Sequence, residues 1–382
     1  MTLIKSKEII DNNESISLII EKIYKKQIIA IDTEFTREKT YYPILSLIQI
    51  AVDGNLYAID CLSKIDLAPI FNVINDVNIK KILHSCSQDL QIFFNKSGVG
   101  PQNIEDVQVM ANFCGMGFNP GYSNLVEKLL NIEIDKKMQK SNWQKRPLDI
   151  KQIEYALLDV AYIEEIHKVF SENLIVNKKQ KWFEEEMQNF IDKSIADNIN
   201  NLVNNFTFHS RSYNRELRKI MVRNIIYWRE ETARKIDVPR QHLLADNYIE
   251  KIVSDDNFLN IDFLRDIIDD HLILELENII ISSQNDFGKQ RNTEFKNQGQ
   301  ELYDHFHKND SPLYIMNEEQ KDCYKKAKYL ILRIAKEENF KEQFLINSSS
   351  LKQIILRNKS VKDVVSGWRY YLFGTKLEKL IY

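Results

Sequence analysis

The feature that most limits what this chain can fold into is a change of pattern near residue 170. Before it, short apolar runs at 28–32, 46–52, 56–59 and 81–84 alternate with stretches of helical periodicity at 67–75, 88–95, 107–113, 124–130 and 150–169. That alternation predicts an α/β domain over 1–170, a mixed sheet with flanking helices. Beyond it the strand signal stops. Residues 178–191 predict a helix inside a connector at 171–205, and a helical domain follows over 206–283. The stretch 284–300 is polar and nearly free of aliphatic residues, which predicts a linker over 284–316 before helical periodicity resumes over 317–382.

The two helical regions repeat each other. Residues 233–252 align without gaps on 335–354, so that Ala233 meets Ala335, Leu243 meets Leu345, Leu244 meets Ile346, Ile249 meets Leu351 and Ile252 meets Ile354. Five apolar matches in one register predict a duplicated small helical domain, although periodicity alone makes amphipathic helices look alike.

Composition narrows the function by exclusion. With a net charge of −3, no global field draws in nucleic acid, so any such binding must use local basic patches. Cys61, Cys86, Cys114 and Cys323 are scattered and form no Cys-x-x-Cys pair, which argues against a zinc knuckle or a disulfide framework. The first 14 residues are unlike a signal peptide, and no apolar run reaches membrane-spanning length. A cytoplasmic protein with no membrane partner is expected; nothing in the sequence bears on its oligomeric state.

Three acidic signals stand out within the α/β part. Asp32-Thr33-Glu34 ends the apolar run at 28–31, and two carboxylates two residues apart on a strand share a face. Such a pair offers hard oxygen ligands suited to Mg²⁺ or Mn²⁺. Thr33 between them is expected to point away. Asp89 falls on the first turn of a helix after His84, where capping would also suffice. Tyr155 and Asp159 lie four apart on a helix and project to one side.

Together these five positions resemble the DEDD exonuclease superfamily in its tyrosine-bearing subgroup. The surrounding words, Asp32-Thr33-Glu34-Phe35, Tyr41-Tyr42-Pro43, Leu47-Ile48-Gln49, Asp89-Leu90 and Arg146-Pro147-Leu148, resemble the ribonuclease D family in particular. Tyr227-Trp228-Arg229-Glu230 with Ala233-Arg234 and Pro239 is similar to a helicase-and-RNase-D C-terminal (HRDC) domain, and Gly367-Trp368-Arg369 to the end of a second. The resemblance implies a ribonuclease H-like 3′–5′ exonuclease domain followed by two all-α HRDC-like domains. It also implies two divalent ions, Mg²⁺ or Mn²⁺, held by Asp32, Glu34, Asp89 and Asp159, with Asp32 bridging. Four carboxylates match two dications, and without metal such crowded acids would repel one another. Tyr155 is expected to orient the attacking water, since a phenol near pKa 10 is a poor base at neutral pH.

The same resemblance implies hydrolysis of RNA from its 3′ end to nucleoside 5′-monophosphates, on tRNA precursors and other small structured RNAs. RNA contacts are expected from Phe35, by stacking on the terminal base, and from Lys136, Trp143 and Arg146. The last three belong to a basic stretch with an aromatic inside it, which also holds Lys137, Lys140 and Lys145. Asn142 stands where related sequences carry Asp. Arg211, Arg215, Arg218, Lys219 and Arg223 are expected to form a basic helix side in the first HRDC-like domain. His84 is expected to be structural, because the family's other subgroup places its histidine where Tyr155 stands, and Asp106 to cap a helix. A DNA exonuclease and a catalytically inactive nucleic-acid-binding scaffold are the competing classes. No metal carboxylate is missing, which argues against the scaffold.

Overall fold

The computed structural model describes residues 5–134, 138, 141–196, 199, 202–203, 206, 215–255, 257–297 and 316–382. The chain forms two compact units. The first comprises 1–36, 45–195 and 314–382; the second comprises 37–44 and 196–313.

The first unit is built on a six-stranded sheet of order β1-β4-β3-β2-β5-β6. Its strands are β1 (Ser6–Ile10), β2 (Ile28–Thr36), β3 (Ile44–Val52), β4 (Asn55–Asp60), β5 (Lys80–Leu83) and β6 (Ile104–Asp106). β1 runs parallel to β4, β3 antiparallel to β4, and β2, β5 and β6 parallel in sequence, so the sheet is mixed as expected. β3 is buried on nearly every residue, the signature of a strand covered on both faces. Around the sheet lie α1 (Asn13–Lys26), α2 (Ala68–Asn75), α3 (Ser87–Ser97), α4 (Val107–Phe113), α5 (Tyr122–Leu130), α6 (Ile150–Ala161), α7 (Ile163–Val176) and α8 (Gln180–Ile195).

β1, β6 and α1 add to the elements expected from the pattern of apolar runs. α1 carried a legible signal: Asn12 accepts the Ser15 N–H as its cap, and Ile16, Ile19 and Ile23 are buried at helical spacing. The expected single helix over 150–169 is two, broken at Tyr162, and the boundary expected at residue 170 falls inside α7. The connector expected over 171–205 is in fact largely part of the first unit, because α8 buries Phe183 and Met187 in its core.

Residues 317–382 also belong to this unit rather than standing apart. Trp368 is 2% exposed and donates its indole N–H to Glu186 of α8 (3.0 Å), while Arg369 pairs with the same carboxylate and donates to the Phe344 carbonyl. Phe113 at the end of α4 meets Phe344, Trp368 and Phe183 at centroid distances of 4.9, 5.3 and 6.3 Å. Aromatic edges and faces at such distances add to plain area burial.

The second unit contains the helix Arg215–Lys235, the short helix Arg240–Leu243, the helix Asp246–Ser254 and a long helix, Asp270–Asn297. That last helix corrects the linker expected from residue 284: Gln, Asn, Lys, Arg and Glu lower hydrophobicity without opposing helix formation. The remainder of the expected linker, 298–315, lies outside the described residues. Arg229 is buried and reaches the Leu244 carbonyl (2.9 Å) and Asp246 (2.6 Å), tying three helices together. Residues 37–44 join this unit through Tyr41, whose hydroxyl donates to Glu230 (3.1 Å) and accepts from Arg234 (2.9 Å), and through the Tyr42 N–H on Asp237 (3.1 Å).

The duplication is visible in the internal geometry of the two modules. At the register that pairs Ala233 with Ala335, Lys235 and Glu337 both end helices, and Asp237 (φ 51°) and Asn339 (φ 55°) both adopt left-handed conformations. Arg240–Leu243 and Glu342–Leu345 are then matching short helices, followed by helices that start at Asp246 and Ser348. The Val238 N–H reaches the Ala233 carbonyl as the Phe340 N–H reaches that of Ala335.

Candidate active site

β2 carries Asp32 and Glu34 toward its C-terminal end, and α3, starting just after β5, brings in Asp89. α3 is anchored by Asp106, which accepts the Cys86 N–H (2.8 Å) at its start while capping α4 through the Gln108 N–H (2.7 Å). Asp106 thus serves as the expected cap and holds a second helix as well. α6, opened by a capping box at Asp149 and Gln152, presents Tyr155 and Asp159.

These acids lie near enough to act on one another electrostatically. Burial, then the carboxylates of Asp89, Asp159 and Glu34, push Asp32 well above the ordinary carboxylate range. Burial with Asp159 and Asp89 raises Glu34 to about 9. Burial raises Asp89 to about 6, against the hydrogen bonds of Thr33 that favour its charged form. Tyr155 is raised too, by burial, Asp159 and Glu34, which takes it further from acting as a base. No lysine or arginine is among the leading influences on Asp32, Glu34 or Asp89. Among the described residues, no three His, Cys, Asp or Glu side chains are drawn together as a ready-made cage. Buried carboxylates that raise the pKa of their neighbours fit a divalent cation by their donor chemistry, because a hard cation removes the cost that burial and repulsion impose.

Several expectations need correction. Thr33 does not stand idle: its hydroxyl donates to Asp89. Trp143 is only 3% exposed and packs with Leu47, Ala156, Leu148 and Tyr155, its ring 6.2 Å from that of Tyr155. It packs against Tyr155 and leaves almost no surface for RNA. Arg146 spends its guanidinium on Asp60, Ser46, Trp143 and Lys145, so it is a structural clamp. Phe35 is half-buried against the main core. Lys136, with Lys137 and Lys140, lies outside the described residues. His84 meets the Pro120 carbonyl (3.0 Å) and the Tyr122 ring, the structural role expected for it.

The basic helix side expected in the second unit is also altered. Arg218 is 1% exposed, donating to the Val253 and Asp255 carbonyls with its guanidinium over Phe258, so it faces inward. Lys219 and Arg223 are exposed. Arg211 lies outside the described residues, as does the side chain of Arg215.

Known proteins resemble this chain in sequence and in fold. A family model described as a 3′–5′ exonuclease matches residues 7–175. Ribonuclease D of Desulfotalea psychrophila is 35% identical over 260 residues, covering 65% of this chain and 67% of that protein. The chain belongs to the ribonuclease D family. Ribonuclease D of Gluconacetobacter diazotrophicus is 33% identical over 64% of this chain and 62% of its own length, and that of Zymomonas mobilis 26% identical over 98% and 93%. The crystal structure of Escherichia coli RNase D, described as an exoribonuclease involved in structured RNA processing, superposes with a TM-score of 0.75 at 22% identity and 98% coverage of both chains. That likeness establishes the shared fold, exonuclease domain and helical C-terminal part together. The ribonuclease D family comprises hydrolytic 3′–5′ exoribonucleases, and its exonuclease domain is of a divalent-metal-dependent class. No helix among the described residues is long and apolar enough to cross a membrane.

Proposed function

We propose that the chain is a two-metal 3′–5′ exoribonuclease that trims tRNA precursors and other small structured RNAs in the cytoplasm. The observation that carries this reading is that Asp89 and Asp159 each raise both Asp32 and Glu34 on top of burial, while burial and Asp106 raise Asp89 itself. Asp32, Glu34, Asp89 and Asp159 would hold Mg²⁺ or Mn²⁺. When bound, the ions activate water and stabilise the departing 3′ oxygen. Thr33 steadies the Asp89 carboxylate by its hydroxyl. Tyr155, kept protonated, orients the attacking water by hydrogen bond, with Trp143 behind its ring fixing that orientation. Phe35, half-buried on β2, stacks on the terminal base in this reading. The four free cysteines suit a reducing compartment.

A labelled structured RNA with a 3′ tail, incubated with Mg²⁺, Mn²⁺ or chelator beside a matched DNA strand, tests the reading. Stepwise shortening of RNA only with metal is expected, and Asp32→Asn should abolish it while RNA binding persists. Degradation by Asp32→Asn at the parental rate would remove the two-metal assignment.

A further inference from the structure

Tyr122, the first residue of α5, belongs to none of the motifs, yet its hydroxyl occupies a place normally filled by backbone. It donates to the Leu158 carbonyl (3.0 Å) and accepts the Tyr162 N–H (3.0 Å). In an unbroken α-helix the Tyr162 N–H would bond the Leu158 carbonyl four residues back. The phenol has therefore replaced one rung of the helix. α6 stops at Ala161, Tyr162 adopts φ −119° and ψ 4°, and α7 starts at Ile163. A side chain inserted into the ladder is a recognised cause of such a break.

The inserted group is itself held in place. The Tyr122 ring lies 5.7 Å from that of His84, and His84 Nε2 meets the carbonyl of Pro120, two residues before Tyr122. His84 follows directly on β5, and Asp89 lies five residues further along. One anchored hydroxyl thus reaches from the β5 side of the site to the end of α6. Asp159 lies between the two backbone groups that this hydroxyl joins, next to Leu158.

We propose that Tyr122 is a positioning residue for Asp159: its hydroxyl, bridging Leu158 and Tyr162, turns the end of α6 and sets the direction from which the Asp159 carboxylate reaches the metals. The proposal rests on the reading of Asp159 as a metal ligand. Removing the hydroxyl lets the Tyr162 N–H and Leu158 carbonyl pair directly, which straightens the helix through Asp159 without emptying the space the ring fills.

The test is Mn²⁺ binding to the full chain without RNA, measured by calorimetry or electron paramagnetic resonance, for the parent, Tyr122→Phe and Asp159→Asn. Tyr122→Phe is expected to weaken binding about 10-fold, the low end of what loss of an outer supporting group costs, because the hydroxyl acts on the backbone around Asp159 and not on its carboxylate. Far-UV circular dichroism should match the parent, and raising Mn²⁺ should restore most of the lost rate, which a general loss of stability would not allow. Parental Mn²⁺ affinity in Asp159→Asn would overturn the ligand assignment. Weakened binding in Asp159→Asn with parental affinity in Tyr122→Phe would overturn the positioning role alone. Should Tyr122→Phe not fold, Tyr122→Leu, which also lacks the hydroxyl, carries the same readout: weaker Mn²⁺ binding supports the role and parental binding refutes it.

Discussion

Replacing Arg146 with alanine separates two readings of the same residue. The guanidinium makes five hydrogen bonds: Nε to Asp60 (2.7 Å), Nη2 to Asp60 (2.6 Å) and the Ser46 carbonyl (3.0 Å), and Nη1 to the carbonyls of Trp143 (2.7 Å) and Lys145 (2.9 Å). All the N–H groups such a side chain possesses are therefore spent. Exposed ion pairs contribute about 0–1 kcal/mol, whereas breaking a buried one costs about 3–5 kcal/mol. With side-chain exposures of 26% for Arg146 and 15% for Asp60, this pair lies between those limits. A loss of about 2–3 kcal/mol follows for Arg146→Ala. At an m-value on the order of 2–3 kcal/mol/M, that is a fall of about 1 M in the urea midpoint. The difference should also depend on pH. Burial raises the Asp60 carboxyl, but the Arg146 hydrogen bonds and the Leu62 N–H outweigh it, so its folded pKa is depressed. A depressed carboxylate contributes stability above its unfolded pKa of about 3.9 and loses it as pH falls through the folded value, so the gap between parent and variant should close in acid. Binding of single-stranded RNA should keep its salt dependence. An unchanged urea midpoint with weaker RNA binding and a salt slope reduced by about 0.7 would place the guanidinium on a phosphate and refute the clamp.

Two further outcomes concern the acidic site. Tyr155→Phe should leave Mn²⁺ affinity within about twofold of the parent and lower the single-turnover rate by about 10²-fold, the order for a reactant no longer held in place; unchanged turnover would remove Tyr155 from the mechanism. Glu34, at about 9 in the metal-free protein, is protonated at pH 7 and must give up that proton when metal binds. The native state then holds more protons than the unfolded chain between about pH 4.5 and 9, so metal-free stability falls as pH rises through that window. Apparent metal affinity should climb by up to about tenfold per pH unit for each proton displaced. Calorimetry in buffers of different ionisation enthalpy reads the proton directly, and none released at pH 7 would contradict the shift.

The residues most legible in the sequence are those whose meaning is local. Asp32 and Glu34 on a strand end, and Tyr155 and Asp159 one turn apart, are fixed by strand and helix periodicity. The duplicated module is legible for the same reason, since its register is a string of apolar positions. What escaped depends on partners far along the chain. Nothing near Arg146 announces Asp60, 86 residues away. Trp143 in a basic stretch looks like a stacking platform until Leu47 and Ala156 are seen to enclose it. Tyr122 acts through two backbone groups of another helix, and no side-chain pattern encodes that. The contact of Thr33 with Asp89 is not legible, because strand alternation gives the face a side chain leaves from, not the reach of a hydroxyl toward a neighbouring helix.

The first unit is discontinuous in sequence, and this has a consequence for synthesis. Residues 314–382 are translated only after the whole of 196–313, so at about 5–20 residues per second the nascent sheet domain waits roughly 6–24 s for them. During that interval Phe113 and Phe183 lack the cover of Phe344 and Trp368, and Glu186 lacks Arg369. A product cut short before Trp368 would emerge with an apolar aromatic surface for chaperones or proteases to find. Completion of the C-terminal module is therefore what closes the core of the domain that carries the acids.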